Sequence, residues 1–314
     1  YLFPSGMAAI CAAQRMLQQI YPGVKSVQLG FPYVDLLKIQ REIGPGAHFL
    51  PGFDPSHMEE LESILSQERI SGVFSEVPGN PQLQTLDVPR LSAMLRSRNI
   101  PLLIDETVGS WVNMNLSPYA DVLLTSLTKY FSGVGDVLAG CLILNDTSPF
   151  YEQLAGVLRS QYTDLLWGED AVVLEENSRD FVQRMQRINR TTEILCDWLR
   201  NHPKVEDLCY PKYETGGNFD RIRTAQGGYG GLFSLILKNA QTVAPLFYAA
   251  LRVSKGPSFG TNYTLACPYV LLAHYKELDW VESCGISRYL VRIGVGLEAP
   301  EDLIERFREA LDKI

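Results

Sequence analysis

Short, fully apolar segments alternate with helix-period segments through the first half of this chain, and this alternation limits the folds open to it. The predicted strands lie at 24–29, 48–50, 72–77, 102–105, 122–125 and 139–144. The predicted helices lie at 5–19, 34–43, 56–67 and 87–98. Short strands that are apolar on both faces are typical of a mostly parallel sheet covered by helices. We therefore predict an α/β fold in which a ligand binds beyond the carboxyl ends of the strands.

The regular alternation of predicted strands and helices does not continue in the second half, which indicates a second domain. An amphipathic stretch at 180–200 predicts a long helix between two domains. After it come predicted strands at 228–237 and 290–295 and a capped closing helix at 300–313. We predict a large ligand-binding domain over 1–178 and a smaller C-terminal α+β domain over 179–314.

Two helix starts carry more specific predictions. Ser5 stands directly before an Ala-rich helical run and is a candidate N-cap. Ser56 is followed three residues later by Glu59, the spacing of a capping box.

Composition excludes several classes of function. The formal net charge of −8 argues against a nucleic-acid surface, which needs clustered Lys and Arg. No apolar run approaches the roughly 18 residues that span a membrane, and no secretory leader is evident. The six cysteines and four histidines show no metal-ligand spacing. We therefore expect a cytoplasmic protein without a metal and without a membrane or nucleic-acid partner, its thiols kept reduced.

Three short segments carry the candidate chemistry. The first is the turn Ser5-Gly6-Met7, which opens the first helix. The free N–H groups and dipole at a helix start can cradle a phosphate. A plain helix cap would explain the same residues.

The other two segments follow apolar strands. Asp105 ends one strand, where its carboxylate could keep a pyridinium nitrogen protonated; a solvated loop aspartate is the alternative. Lys129 comes after the next strand and follows Ser126 and Thr128 closely. A lysine there suits a Schiff base with phosphate-binding neighbours, although a single lysine is more often a surface residue.

A phosphate cradle, an acid and a Ser-x-Thr-Lys run, in this order, resemble the Cys/Met-metabolism family of pyridoxal-phosphate (PLP) enzymes. That family includes cystathionine γ-synthases, γ-lyases and O-acylhomoserine sulfhydrylases. Similar segments at 76–81, 258–260 and 290–298 extend the resemblance over nearly the whole chain. The resemblance implies the fold of a fold-type I PLP-dependent transferase.

The resemblance also implies residue roles. Lys129 would bind PLP covalently and move protons, Asp105 would pair with the pyridinium, and Arg292 would bind the substrate α-carboxylate near Ser258. The remaining cofactor contacts that it implies are made by Ser5, Gly6, Met7, Asn80, Thr107, Ser126 and Thr128.

The chain departs from the family pattern in two places. The family stacks a Tyr on the cofactor ring at the position of Phe31, with Tyr33 as an alternative and a candidate substrate contact. Phe31 could stack but could not transfer a proton. Methionine-degrading γ-lyases resemble one another in having Cys where this chain has Tyr33, which favours a synthase. The family also adds an N-terminal arm from a neighbouring subunit, and we expect that arm to be absent because the sequence begins at Tyr1.

Within the family, the segments 30–35 and 256–261 look most like the fungal cystathionine γ-synthase branch. This resemblance implies γ-replacement on O-acetyl- or O-succinylhomoserine by cysteine or another nucleophile. It further implies a homodimer or homotetramer with active sites at the dimer interface. A γ- or β-lyase, or γ-substitution by a carbon nucleophile in secondary metabolism, stays open. A nicotinamide dehydrogenase is disfavoured because no G-x-G-x-x-G follows the first strand.

Overall fold

The strands of the first half form one seven-stranded sheet in the computed structural model, which describes residues 1–213 and 217–314. The order across the sheet is β1-β7-β6-β5-β4-β2-β3, and the strands are β1 (Leu2–Phe3), β2 (Ser26–Leu29), β3 (Ala47–Leu50), β4 (Val73–Glu76), β5 (Leu102–Asp105), β6 (Val122–Ser126) and β7 (Gly140–Leu144). The five neighbouring strands β3, β2, β4, β5 and β6 run parallel, and β7 runs antiparallel to its two neighbours, β6 and the edge strand β1. The predicted mostly parallel sheet is confirmed.

Helices cover this sheet. They are α1 (Gly6–Ile20), α2 (Val34–Lys38), α3 (Pro55–Gln67), α4 (Val88–Arg96), α5 (Tyr151–Gln161) and α6 (Gly168–Ser178), with a π-helical turn at Ile39–Ile43 after α2. β2, β4 and β5 are buried along their whole lengths because helices or loops cover both faces. This explains why their sequences are apolar runs without alternation.

A long helix, α7 (Phe181–Arg200), leads to a second sheet of order β10-β11-β12-β9-β8. Its elements are β8 (Val205–Cys209), β9 (Leu232–Leu237), α8 (Ala240–Ala250), β10 (Ser254–Lys255), β11 (Leu265–Cys267), α9 (Tyr269–Ala273), α10 (Leu278–Ser283), β12 (Val291–Gly294) and α11 (Pro300–Asp312). Along α7, Met185 and Ile188 pack with Val108 and Tyr130 of the first half, whereas Leu195 packs in the second core. The helix therefore bridges the two cores, as its amphipathic pattern predicts. The boundary at 178/179, between α6 and α7, stays a prediction.

Three predicted helix features differ from the structure. α3 is capped by Asp54, whose carboxylate accepts from the N–H groups of Ser56 and His57, and it begins at Pro55. The predicted capping box at Ser56 is therefore wrong, because Pro at the first helical position moves the start forward. The predicted helix over 34–43 changes to π-helical geometry after α2. No side-chain hydrogen bond caps α11, which begins with Pro300. Among the described residues, no helix is long and apolar enough to cross a membrane.

The start of α1 lies against the ends of β6 and β7. The Ser5 hydroxyl accepts from the N–H of Ala8 at 3.1 Å, which confirms Ser5 as the N-cap. Two glycines permit the close approach. A Cβ on Gly6 would lie 2.9 Å from Ser126 Cβ, and a Cβ on Gly140 would lie 2.2 Å from the carbonyl oxygen of Ser5. The absence of these two side chains brings the helix start next to the segment that carries Lys129.

We predict that Gly140→Ala displaces the start of α1 and lowers stability by about 1–3 kcal/mol, because the new Cβ meets backbone that cannot move aside. The matched control is Gly156→Ala on the exposed face of α5, where a Cβ has no heavy atom within 4 Å. That substitution should leave stability unchanged or raise it by about 0.5–1 kcal/mol, as expected for Ala in a helix. Urea unfolding of both variants measures the difference. Equal midpoints would contradict the packing argument.

Candidate active site

A cavity of about 350 Å³ opens at the carboxyl ends of β4, β5 and β6, between the two sheets. Of the residues predicted for the site, it brings together Ser5, Gly6, Met7, Tyr33, Asn80, Asp105, Thr107, Ser126, Thr128, Lys129 and Arg292. Further lining residues are Ile10, Glu76, Leu138, Pro257, Phe259, Cys267, Tyr269, Leu272 and Ala273. The position follows from the topology, because parallel strands deliver their C-terminal residues to one edge.

Asp105 is held by the turn that follows its own strand. Its Oδ1 accepts from the Thr107 hydroxyl at 2.6 Å and from the Thr107 N–H at 2.9 Å. The Thr107 hydroxyl in turn accepts from the N–H of Ser126 at 2.8 Å. Burial raises the pKa of Asp105, while both bonds from Thr107 lower it. Thr107 therefore fixes one carboxylate oxygen of Asp105 and ties it to the segment that carries Lys129.

Lys129 lies at the centre of the cavity, where burial changes its chemistry. Its Nζ donates to Ser258 Oγ at 2.8 Å and lies 5.2 Å from the centre of the Phe259 ring. Burial, and next the positive charge of Arg292, lower the pKa of Lys129 to about 8. About a tenth of this amine is then neutral at pH 7, against well under a thousandth for an ordinary lysine. Lys129 is thus suited to act as a nucleophile or a base.

Arg292 is a buried cation, 3% exposed, that makes no ion pair among the described residues. Its guanidinium donates to Asn80 Oδ1 at 2.9 Å and to the Pro257 carbonyl. It also lies over the ring of Tyr269 at 4.5 Å. A buried charge is normally paired, so this arrangement provides a place for a carboxylate that the chain itself does not supply.

The N-terminus of α1 and two hydroxyl residues form the far end of the cavity. The Thr128 hydroxyl is used within its own loop, because it accepts from the Ala139 N–H at 3.0 Å and donates to the Ala139 carbonyl at 3.3 Å. Within the described residues, the Ser126 hydroxyl makes no hydrogen bond, and it lies against Gly6. Ser126 and the start of α1 are therefore the groups best placed to hold an anion.

The structure places the two candidates for stacking on the cofactor, Tyr33 and Phe31, in different surroundings. Tyr33 lines the cavity, and its hydroxyl donates to Asp35 Oδ2 at 2.7 Å. Phe31 is not among the cavity-lining residues: it is 5% exposed and packs against Phe49 and Trp280. Of the two candidates, Tyr33 therefore lines the cavity and Phe31 lies outside it, because Phe49 and Trp280 enclose the Phe31 ring. Which of them stacks on the cofactor stays a prediction. Burial, then the bond to Asp35, raise the pKa of Tyr33, so its hydroxyl stays protonated.

Glu76 is a cavity residue to which the sequence assigned no role. It pairs in register with Asp105 on the neighbouring strand. Its Oε2 accepts from the N–H of Tyr33 at 2.9 Å and of Asn80 at 3.4 Å. Burial, then the charge of Asp105, raise the pKa of Glu76 well above its ordinary value. This carboxyl therefore positions both Tyr33 and the Asn80 that holds Arg292.

The sequence also assigned no role to two further cavity residues, Tyr269 and Phe259. Tyr269 is buried, and its hydroxyl accepts from Asn80 Nδ2 at 3.2 Å. The ring of Phe259 lies close to both cations of the site, with Lys129 and Arg292 each 5.2 Å from its centre. Glu76 and Phe259 fall inside segments that resemble the family, so a signal for them existed. Tyr269 had none, because it comes from a helix of the second half without a motif.

The fold is shared with solved enzymes. The cystathionine gamma synthase of Xanthomonas oryzae pv. oryzae, solved with cystathionine, is 22% identical and superposes with a TM-score of 0.86 over 99% of this chain and 80% of its own. At this identity the likeness shows the fold alone, which is the predicted one.

Sequence relatives are closer. A cystathionine gamma-synthase of Neurospora crassa is 46% identical over 99% of this chain and 51% of its own length. A cystathionine gamma-synthase-like enzyme of Amanita muscaria is 43% identical over 99% of this chain and 54% of its own. The chain thus spans about half the length of the curated relatives it matches. The model of the family described as "Cys/Met metabolism PLP-dependent enzyme" matches residues 1–312. By this match and these relatives, the chain belongs to the Cys/Met-metabolism family of PLP-dependent enzymes.

Proposed function

We propose that this chain catalyses γ-replacement on an O-acylhomoserine, with cysteine as the default nucleophile, which yields cystathionine and releases the carboxylic acid. The observation that carries the proposal is that two residues line the same cavity: Lys129, whose pKa is lowered to about 8, and Arg292, a buried cation that makes no ion pair among the described residues. This arrangement can bind an α-carboxylate and move a proton beside it. The names of the Neurospora and Amanita relatives support synthase chemistry for it.

The cavity residues fit PLP. Lys129 offers an amine that is partly neutral, and Asp105 has Oδ1 occupied by Thr107, which leaves Oδ2 for a pyridinium. The start of α1, with the Ser126 hydroxyl, would hold the phosphate. When bound, PLP supplies an electron sink for the carbanions that form beside an amino group.

Other side chains of the cavity would bind the substrate and transfer protons. Arg292, held by Asn80, would clamp the α-carboxylate, and a guanidinium fork fixes direction as well as charge. γ-Replacement requires a proton to leave Cα and then Cβ before the acyloxy group departs from Cγ. Lys129 is the amine of the cavity and would carry both protons. Tyr33 and Tyr269 retain their protons because burial raises their pKa values.

The assembly and the location belong to the same proposal. Apolar side chains at the cavity are strongly exposed: Leu138 is 63% exposed, Leu272 56% and Met7 46%. Such a surface supports a partner subunit across the cavity mouth, in a homodimer or homotetramer. We also propose a cytoplasmic location. The lyase and carbon-nucleophile alternatives share this site, so products must separate them.

The deciding experiment incubates the enzyme with O-acetylhomoserine and cysteine in deuterated water. We expect cystathionine that carries deuterium at both Cα and Cβ, because protons leave both positions. Mass spectrometry and proton NMR of the product measure this, with Lys129→Ala as the inactive control. A keto acid as the sole product, or deuterium at Cα alone, would overturn the proposal in favour of a lyase or α-chemistry.

The pKa of Lys129 sets the pH dependence of cofactor capture. Only the neutral amine attacks the PLP aldehyde, and the neutral fraction rises about tenfold per pH unit below the pKa. We expect the capture rate in the cofactor-free protein to rise with pH up to about 8 and then level off. Borohydride trapping at timed points, with the modified peptide identified by mass spectrometry, measures the rate on Lys129. A rate that still climbs between pH 9 and 10, as for an ordinary lysine, would contradict the lowered pKa.

The position of Glu76 predicts a contrast between two substitutions. Burial, then the charge of Asp105, raise the pKa of Glu76 and so favour its neutral form. Glu76→Gln keeps the shape and the acceptor oxygen of that form and should retain most activity. Glu76→Ala leaves the buried N–H of Asn80 and the partly buried N–H of Tyr33 without this acceptor, at a cost of about 1–3 kcal/mol. Its KM for the amino acid should rise roughly tenfold, through loss of Asn80 and Arg292 alignment. If Gln is as damaging as Ala, Glu76 acts as an anion instead.

A further inference from the structure

Tyr269 lies beside Arg292, although the two residues come from different elements of the second half of the chain. β11 and β12 pair antiparallel, with Cys267 opposite Arg292. The chain leaves β11 at Pro268 and enters α9, whose first residue is Tyr269. The centre of the Tyr269 ring thereby lies 4.5 Å from the guanidinium carbon of Arg292, and both residues line the active-site cavity. A ligand bound to Arg292 in the cavity would therefore lie near Tyr269.

Asn80 connects these two residues, and the guanidinium of Arg292 fixes how the Asn80 amide is turned. A guanidinium has donors and no acceptor, so the Asn80 atom that lies 2.9 Å from Arg292 Nη1 is the oxygen Oδ1. The other end of the amide, Nδ2, is then a donor, and it lies 3.2 Å from the Tyr269 hydroxyl. The hydroxyl oxygen must therefore accept this hydrogen bond, and its own hydrogen is directed to another partner.

The hydrogen of the Tyr269 hydroxyl has no acceptor in the part of the chain that the structure describes. There, the hydroxyl takes part only in the hydrogen bond that it accepts from Asn80. Glu76, a carboxyl of the same cavity, accepts from the N–H groups of Tyr33 and Asn80 instead. Burial is the main cause that raises the pKa of Tyr269, so the hydroxyl keeps its hydrogen at neutral pH. Buried hydroxyls are normally hydrogen-bonded, and a ligand in the cavity would supply the missing acceptor.

Two aromatic rings and two acceptors limit how the Arg292 guanidinium can turn. The centres of the Phe259 and Tyr269 rings lie 5.2 Å and 4.5 Å from the guanidinium carbon. Nη1 donates to Asn80 and Nη2 to the Pro257 carbonyl. Each of these nitrogens carries two hydrogens, so one hydrogen of each remains for a ligand. Because a carboxylate has two oxygens and accepts several hydrogen bonds, it can accept from the guanidinium and from the Tyr269 hydroxyl together.

We propose that Tyr269 is a substrate-binding residue whose hydroxyl donates to the α-carboxylate held by Arg292. The carboxylate gives the hydroxyl hydrogen its acceptor, and the neutral hydroxyl adds a donor without adding charge. A hydrogen bond to an ionised group is stronger than one between neutral groups, and its loss should weaken binding roughly tenfold or more. The proposal rests on the binding of an α-carboxylate by Arg292 in the proposed function, but on neither the leaving group nor the nucleophile.

The test compares two ligands of the PLP-loaded enzyme by isothermal titration calorimetry. L-2-Aminobutyrate has the carbon skeleton of homoserine without a leaving group, and propylamine is the same molecule without the carboxylate. Tyr269→Phe keeps the ring and removes only the hydroxyl. It should weaken the binding of L-2-aminobutyrate roughly tenfold or more and leave the affinity for propylamine within about twofold. The matched control is Tyr248→Phe, which removes a hydroxyl that donates to the Ala266 carbonyl outside the cavity lining and should change neither affinity.

A double-mutant cycle separates direct contact from an effect through Asn80. If the hydroxyl contacts the carboxylate, Tyr269→Phe should still weaken L-2-aminobutyrate binding in an Asn80→Ala background. If it has no effect there, the hydroxyl acts only by holding Asn80, and the proposal is wrong.

Two further outcomes distinguish this proposal from the proposed function. Equal affinities of the unaltered enzyme and Tyr269→Phe for L-2-aminobutyrate would overturn the role of Tyr269 but leave γ-replacement untouched, because neither ligand reacts at Cγ. Arg292→Ala should produce the same selective loss of L-2-aminobutyrate binding. If it does not, the carboxylate clamp of the proposed function fails, and the role of Tyr269 fails with it.

Discussion

The hydrogen bond between Asn80 and Arg292 is the contact on which the arrangement of the cavity most depends. Asn80 follows β4 of the large sheet and Arg292 lies on β12 of the second sheet, so this 2.9 Å bond joins the two sheets at the site itself. It also holds a buried cation that has no carboxylate partner among the described residues. A buried charge is tolerated only if hydrogen bonds and a counterion offset its desolvation. The cavity is therefore built to be completed by an anion.

Two buried carboxyl groups line the same cavity as that cation. Asp105 and Glu76 stand side by side on adjacent strands, and burial raises the pKa of both. Two like charges so close in a low-dielectric region repel strongly. The Thr107 hydrogen bonds lower the pKa of Asp105, whereas the charge of Asp105 adds to burial in raising the pKa of Glu76. Asp105 is thus the carboxyl that more readily stays ionised, and Glu76 is the hydrogen-bond acceptor that orders Tyr33 and Asn80.

The two aromatic side chains of the segment 31–34 lie in different surroundings. Tyr33 lines the cavity, whereas the Phe31 ring packs against Phe49 and Trp280. Tyr33 is anchored through its N–H to Glu76.

By itself, the sequence determined the elements that local patterns control. The apolar runs at β4, β5 and β6 predicted a buried parallel sheet. At or shortly after the end of these runs stand Asn80, Asp105 and Lys129, which all line the cavity. Ser5 was recognisable as a cap because capping is a contact over three residues. Only the tertiary structure decided which aromatic side chain enters the cavity, since the placement of Phe31 depends on Trp280, some 250 residues away along the chain. It also added Tyr269 and the raised pKa of Glu76, because burial and neighbouring charge arise only when distant segments pack together.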